Sequence, residues 1–269
     1  MKSMSLEETK KVELDILVSV ADFCDRNGFK YFLAYGTLIG AIRHKGFIPW
    51  DDDIDLWMPR DDYNKFIEIF NEQCENRDLM VIDPETDIAR HSFAKVINTK
   101  TLKIEKGVDY RNGHLGVDVD IFPLDGTPEI ESDFKAWYKV LQKYYRAFLM
   151  RICVPPKKIK SIVKRLLYLL IYGSKKNILK KTKLLHSRYP YSSCTFIGSI
   201  DSCFNSMKER FEKNLFEEAV LVDFEGLQFK APKGYDTILT KLYGDYMTPP
   251  PEEKRVTHHS NNTFWKEEM

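Results

Sequence analysis

Near the start of the chain, apolar residues recur at helical spacing: Val12, Ile16, Val20 and Phe23 are separated by three or four positions, with charged residues between them. That period predicts an amphipathic helix over 7–27, stopped by Asn27-Gly28. The apolar run 31–35 reads as a short strand leading into Gly36, followed by a helical turn or two over 38–43 and a loop over 45–49. A second apolar strand is expected over 54–58, ended by Pro59. The next helix is expected over 61–71, with Asp61 or Asp62 near its N-cap and Tyr63, Phe66, Ile67 and Phe70 inward. Further strands are predicted over 93–97, 102–104 and 117–122, the last closed by a turn over 124–128.

From Phe134 the period becomes helical. One helix runs to about residue 152, Pro155-Pro156 breaks it, and others follow over 158–172 and 175–186. Short strands with turns return over 216–230, then a helix over 236–243. The tail is a loop holding Pro249-Pro250-Pro251, Arg255, His258 and His259. There is no internal repeat. We divide the chain into a catalytic core over 1–130, a basic helical subdomain over 131–215, and C-terminal strands, helix and loop over 216–269 that complete the core.

The composition excludes several classes. With 269 residues, 43% hydrophobic and 30% charged, the chain is globular rather than disordered or fibrous. Cys24, Cys74, Cys153, Cys194 and Cys203 form no C-x-x-C pair and read as reduced thiols rather than a disulfide frame or zinc site. The N-terminal residues are polar and acidic, unlike a secretory signal. The longest apolar run, 166–172, falls far short of the roughly 20 residues a membrane span needs, so a soluble, cytoplasmic protein is expected. A net charge of +1 conceals an asymmetry, because residues 131–190 carry 16 Lys/Arg against 2 Asp/Glu. Basic helices of this kind suit a polyanion or an anionic membrane surface, reached through 135–185. The alternative is a helical subdomain whose solvated face is merely rich in lysine. No nucleic-acid motif accompanies the charge.

Candidate chemistry lies before the basic segment. Asp51, Asp52, Asp53 and Asp55 crowd into five positions beside Trp50, Ile54 and Leu56. Like charges at such spacing repel, and a divalent cation neutralises them while drawing on a substrate's phosphates. On a strand Asp53 and Asp55 project to one face, and a third acid is expected from the 117–122 strand, where Asp120 is preferred over Asp118. Gly36-Thr37, at a strand-to-helix turn, offers backbone N–H groups to a phosphate. Arg43, His44 and Lys95 are cations able to meet phosphates, and His44 is also a candidate general acid or base. No EF-hand spacing is present.

These motifs resemble the LicD/fukutin family of nucleotidyltransferase-fold phosphotransferases. The resemblance rests on 36–44, on 46–55, on Phe93-Ala94-Lys95, on 120–125, and on Tyr243-Gly244-Asp245-Tyr246-Met247 with Pro249-Pro250 and Arg255. It implies an α+β fold, a polymerase-β-like mixed sheet with flanking helices and a basic helical insertion. It further implies transfer of a phospho-alcohol, foremost phosphocholine from CDP-choline, onto a sugar of a teichoic acid or lipopolysaccharide precursor. Carried over, Asp53, Asp55 and Asp120 would be catalytic and hold Mg²⁺ (or Mn²⁺), with Asp51 assisting. Gly36 and Thr37 would face the diphosphate, and Arg43, His44 and Lys95 would line the donor site. A choline headgroup asks for aromatic walls, and Trp57 beside the acidic strand is a candidate. Ethanolamine, ribitol or glycerol donors, nucleotide transfer from a triphosphate, and a non-enzymatic membrane adaptor are the alternatives.

Overall fold

The computed structural model describes residues 1–105, 115–153, 158–200, 206–255 and 262–266. His258, His259 and Cys203 lie outside the described residues. Strand β1 (Lys2–Ser3) is followed by helix α1 (Leu6–Asn27), which opens on a capping box between Ser5 and Glu8 and stops at Gly28, φ +69°. Then come β2 (Phe32–Leu33), α2 (Tyr35–His44), β3 (Asp55–Pro59), α3 (Arg60–Gln73), β4 (Leu79–Ile82), β5 (Ala94–Asn98), β6 (Thr101–Ile104) and β7 (Asp118–Thr127). The basic segment supplies α4 (Glu131–Ile152), α5 (Ile159–Tyr172) and α6 (Lys175–His186). The chain ends with β8 (Phe196–Gly198), β9 (Phe211–Glu212), β10 (Ala219–Phe224), β11 (Leu227–Pro232), α7 (Tyr235–Tyr243) and β12 (Asn262–Trp265).

The main sheet has strand order β2-β3-β7-β5-β4, with β3 and β7 parallel and the other pairs along this path antiparallel. This is the mixed sheet with flanking helices of a nucleotidyltransferase-like fold. Strand β7 is its spine. Its first half pairs with β3 and β5, and its second half turns outward to pair with β8, which pairs with β9. The turn expected over 124–128 is therefore strand, because Asp125, Gly126 and Thr127 find ladder partners in Gly198, Ile197 and Phe196. Proline and glycine there mark the change of partner rather than an end of pairing. Likewise, the helix expected to start at 38 begins at Tyr35, and the N-cap of α3 is Pro59 rather than Asp61 or Asp62.

The core lies between this sheet and α1, α2, α3 and α7. Ile16, Leu17, Val20 and Phe23 of α1 meet Phe66 and Phe70 of α3 and the apolar residues of β3 and β7. Phe23 touches Phe70 and Phe66 edge-on at centroid distances of 4.9 and 5.6 Å. Ile67, expected inward, is half-buried at the margin. The β10–β11 hairpin turns through Glu225 and Gly226, both at positive φ. Glu225 accepts the Phe47 N–H at 3.0 Å and donates its own N–H to Lys45 O, so the hairpin pins the 45–48 loop that leads into the acidic cluster.

Candidate active site

Strand register gathers the chemistry. Asp55 of β3 stands beside Asp120 of β7, and Asp120 in turn stands opposite Lys95 of β5. Side chains at neighbouring positions across a sheet share a face, so these three form one transverse row. Asp118, two residues earlier on β7, projects from the same face. The hydroxyl of Thr37, in the first turn of α2, accepts the Asp55 N–H at 2.8 Å and ties that helix to the acidic strand.

One end of the row opens into a cavity of about 570 Å³, whose walls include Asp51, Asp53, Asp55, Gly36, Arg43 and Tyr243. Burial first, then the charges of Asp53, Asp120 and Asp51, raise the Asp55 carboxyl well above its usual range, with Lys95 opposing. Burial likewise lifts Asp120 to about 7, although Lys95 beside it works the other way. Asp52 is a buried member of the cluster. It is 8% exposed, and its charge is among those that raise the buried Glu13 of α1.

The other end of the row is electrically closed. Lys95 Nζ pairs with Asp120 Oδ1 at 2.6 Å and with Asp118, and Lys103 Nζ reaches Asp118 Oδ1 at 2.5 Å. Burial opposes charge on all three groups. The pairing outweighs it, holding both lysines above and Asp118 below their ordinary ranges. Lys95 is thus a buried partner of the acids rather than a cation lining the cavity.

Each remaining expected residue has a definite place. Gly36 lies in the first turn of α2, and a Cβ there would sit 2.5 Å from Asp51 Oδ2, so glycine lets a carboxylate come close to the helix N-terminus. Arg43 lines the cavity. Its Nη1 donates to Tyr246 O at 2.5 Å and its Nε to His44 Nε2 at 2.9 Å. His44 is therefore an acceptor that steadies Arg43, and burial and the Arg43 charge lower its pKa. Trp57 is no headgroup wall. It is fully buried, packed against Tyr35, Phe211 and Phe216. The aromatic residues that do line the cavity are Tyr35, Trp50, Tyr243 and Tyr246.

The donor set suits a hard divalent cation, since it is made of carboxylate oxygens whose mutual charge raises the proton affinity of Asp55. Among the described residues no three potential ligands are already drawn around one point.

The chain matches the model of the LicD/FKTN/FKRP nucleotidyltransferase domain over residues 28–165. It is 32% identical over 274 residues to the lipopolysaccharide cholinephosphotransferase LicD of Haemophilus influenzae, covering 98% of this chain and 99% of that protein. The chain belongs to the LicD family. Shorter stretches are similar to an uncharacterized protein of Rickettsia typhi (35% over 69 residues, 25% of this chain and 22% of that protein) and to Mannosyltransferase regulator 4 of Saccharomyces cerevisiae (30% over 118 residues, 42% of this chain and 10% of that protein).

In this LicD-family chain the matched segment contains the whole transverse row and both buried lysines. Sequence reading missed several residues around it. Tyr243 faces the acids, and burial and the Asp55 charge raise its phenol. Tyr35, at φ +43°, keeps that unfavourable backbone while its hydroxyl donates to Glu209 at 2.7 Å and its ring packs on Trp57 and Phe122. Glu13 is fully buried with no hydrogen-bond partner for either oxygen among the described residues, and burial raises it strongly. A helical-period count could have flagged Glu13, because it falls on the same stripe as Thr9, Ile16 and Val20. Tyr35 carried no such signal, and Tyr243 stood out only as part of the resemblance over 243–247.

Proposed function

We propose that this protein transfers phosphocholine from CDP-choline, or a closely related CDP-alcohol donor, to a sugar hydroxyl of a cell-surface glycan precursor, with Mg²⁺ (or Mn²⁺) as cofactor. The acceptor would be a lipid-linked glycan of the lipopolysaccharide or teichoic acid type, met at the inner face of the cytoplasmic membrane. The observation that carries this reading is the pairing of Asp55 with Asp120 across the parallel strands, at the edge of a cavity shared with Asp51 and Asp53. Similarity to the Haemophilus cholinephosphotransferase along nearly the whole chain supports the choice of substrate.

The acceptor hydroxyl oxygen attacks the phosphorus that bears choline. A new O–P bond forms, the bond from that phosphorus to the bridging oxygen breaks, and CMP leaves with the bridging oxygen. The hydroxyl proton passes to a carboxylate of the cluster. A cation held by Asp53, Asp55 and Asp120, with Asp51 beside them, would offset charge on the diphosphate as the leaving group departs. Lys95 and Asp118 fix Asp120 in place, and Thr37 fixes the backbone of Asp55. Arg43, steadied by His44, adds positive charge to the cavity wall. The first turn of α2 at Gly36 and Thr37 presents N–H groups to phosphate oxygens. Trp50, Tyr243 and Tyr246 line the cavity as aromatic walls, whose ring faces would hold a quaternary ammonium.

The test is incubation with CDP-choline, Mg²⁺ and a glycan acceptor. CMP and phosphocholine-modified glycan should appear in equal amounts. Pyrophosphate release from a nucleoside triphosphate, without turnover of CDP-choline, would replace this reading by nucleotide transfer. Turnover of neither would leave an adaptor.

A further inference from the structure

The basic segment contains one helix that faces the wrong way for a soluble protein. None of the residues of α5 is buried. Its half-buried residues are Ser161, Arg165, Tyr168, Leu169 and Tyr172, a single stripe at helical spacing. This is the stripe that docks. Tyr172 meets Tyr144 of α4 edge-on at 5.3 Å, Arg165 Nη1 donates to Cys153 O at 2.9 Å, and Arg151 of α4 donates to Leu169 O at 3.2 Å.

The aliphatic residues lie on the opposite side. Ile159, Ile162, Val163, Leu166, Leu170 and Ile171 follow the same helical period half a turn away, and Leu170 and Ile159 are 80% and 79% exposed. The flanks of this stripe carry exposed Lys160 and Lys164, and the neighbouring α6 exposes Lys176, Lys180 and Lys181. By contrast, α4 buries Phe134, Trp137, Tyr138 and Leu141, and α6 buries Ile178 and His186. Those two helices turn fully buried apolar residues to the protein, whereas α5 docks only through its half-buried stripe and leaves its aliphatic face uncovered.

We infer that the outer face of α5 lies in the surface of an anionic lipid bilayer, with its aliphatic stripe in the headgroup–acyl boundary and its lysines on the headgroup phosphates. A monotopic helix needs an apolar face, a basic margin and too little length to span, and α5 has all three. Among the described residues no helix is long and apolar enough to cross a membrane. A second copy of the chain is the other conceivable cover. The charge argues against it, because residues 131–190 carry a net +14 and a symmetric contact would bring that excess against itself. The inference adds to the reading above the place where a lipid-linked acceptor would be met, but it stands on the helix alone.

The experiment is flotation of the full chain with vesicles of phosphatidylcholine, with and without phosphatidylglycerol. The wild type should float with the anionic vesicles, less so in high salt. Leu166→Glu/Leu170→Glu should lower that recovery about tenfold or more, by placing carboxylates in the boundary. Lys160→Gln/Lys164→Gln should instead reduce the preference for anionic over neutral lipid. Ile159→Ser/Ile171→Ser, at the two ends of the stripe, provides a second apolar variant should the first fail to fold. All should keep the wild-type melting temperature and CMP release on a water-soluble acceptor, which separates failure of this inference from failure of the catalytic reading. Recovery unchanged by both apolar pairs would overturn it. So would a wild type that ignores vesicles but forms a dimer lost in the Leu166/Leu170 variant.

Discussion

Asp118 and Asp120 sit two residues apart on one strand, point from one face, and are treated in opposite ways. Asp118 is enclosed by Lys95 and Lys103, and despite burial its carboxylate is held well below the ordinary range. Asp120 shares Lys95 and stands beside Asp55 in the strand register, and burial first, then the Asp118 charge, lift it to about 7 although Lys95 opposes. A fold seeking only stability would balance both. Here the charge is balanced where the sheet is closed and left in excess where it opens on the cavity, the arrangement expected where a cation and a phosphate are to be received.

Removing one acid at a time separates the two roles by the largest effects. Asp120→Asn should lower phosphocholine transfer on the order of 10³-fold, corresponding to about 4 kcal/mol of lost charge stabilisation in the transition state, while leaving the melting temperature equal or higher. Asp118→Asn should do the reverse in kind. It leaves two buried lysines sharing too little negative charge and should destabilise the fold by about 3 kcal/mol or more in urea denaturation. Loss of fold in Asp120→Asn and retention in Asp118→Asn would invert the assignment.

The pH dependence should also separate them. The folded pKa of Asp120 is raised from 3.8 to about 7, so its contribution to stability is fully present below the unfolded value and is lost as pH rises through the folded one. Asp118 is shifted downward, so its contribution is present above the unfolded value and is lost as pH falls through the folded one. Without divalent ions, the Asp120 contribution should fall by up to about 1.4 kcal/mol per pH unit between pH 5 and 7. That part of the slope should vanish in Asp120→Asn, as read by denaturation at stepped pH.

Smaller effects test how the row is held. Thr37→Val removes the acceptor of the Asp55 N–H and should cost about 1–3 kcal/mol, with a parallel drop in turnover. Gly36→Ala pushes only the end of the Asp51 side chain, so the fold should survive while the KM for CDP-choline rises several-fold.

Much of the chain was legible because its signals are local. The helices over 7–27, 61–71 and 175–186 follow from period, the first also from its stop at Gly28, and β3, β5 and the first half of β7 follow from apolar runs. Strands β1, β4, β8, β9 and β12 were missed because they are short and defined by distant partners: Lys2 pairs with Trp265, and Asp125 with Gly198. At the site, residue type and spacing picked out Asp53, Asp55 and Asp120. They could not reveal that Lys95 and Asp118 close one end of the row, because that depends on β5 and β7 lying side by side in one register. Trp57 was misread for the same reason, since its place beside Asp55 in the sequence says nothing of the face it takes.

In the proposed reaction Asp55 and Asp120 together hold the cation that the transfer requires. The most direct measurement is CMP release from CDP-choline across a Mg²⁺ titration, in the wild type and in Asp55→Asn and Asp120→Asn. The wild type should be inactive with chelator and saturate with Mg²⁺, and both variants should lose activity without losing their fold. Wild-type turnover in either variant, or turnover that ignores Mg²⁺ and chelator alike, would contradict it.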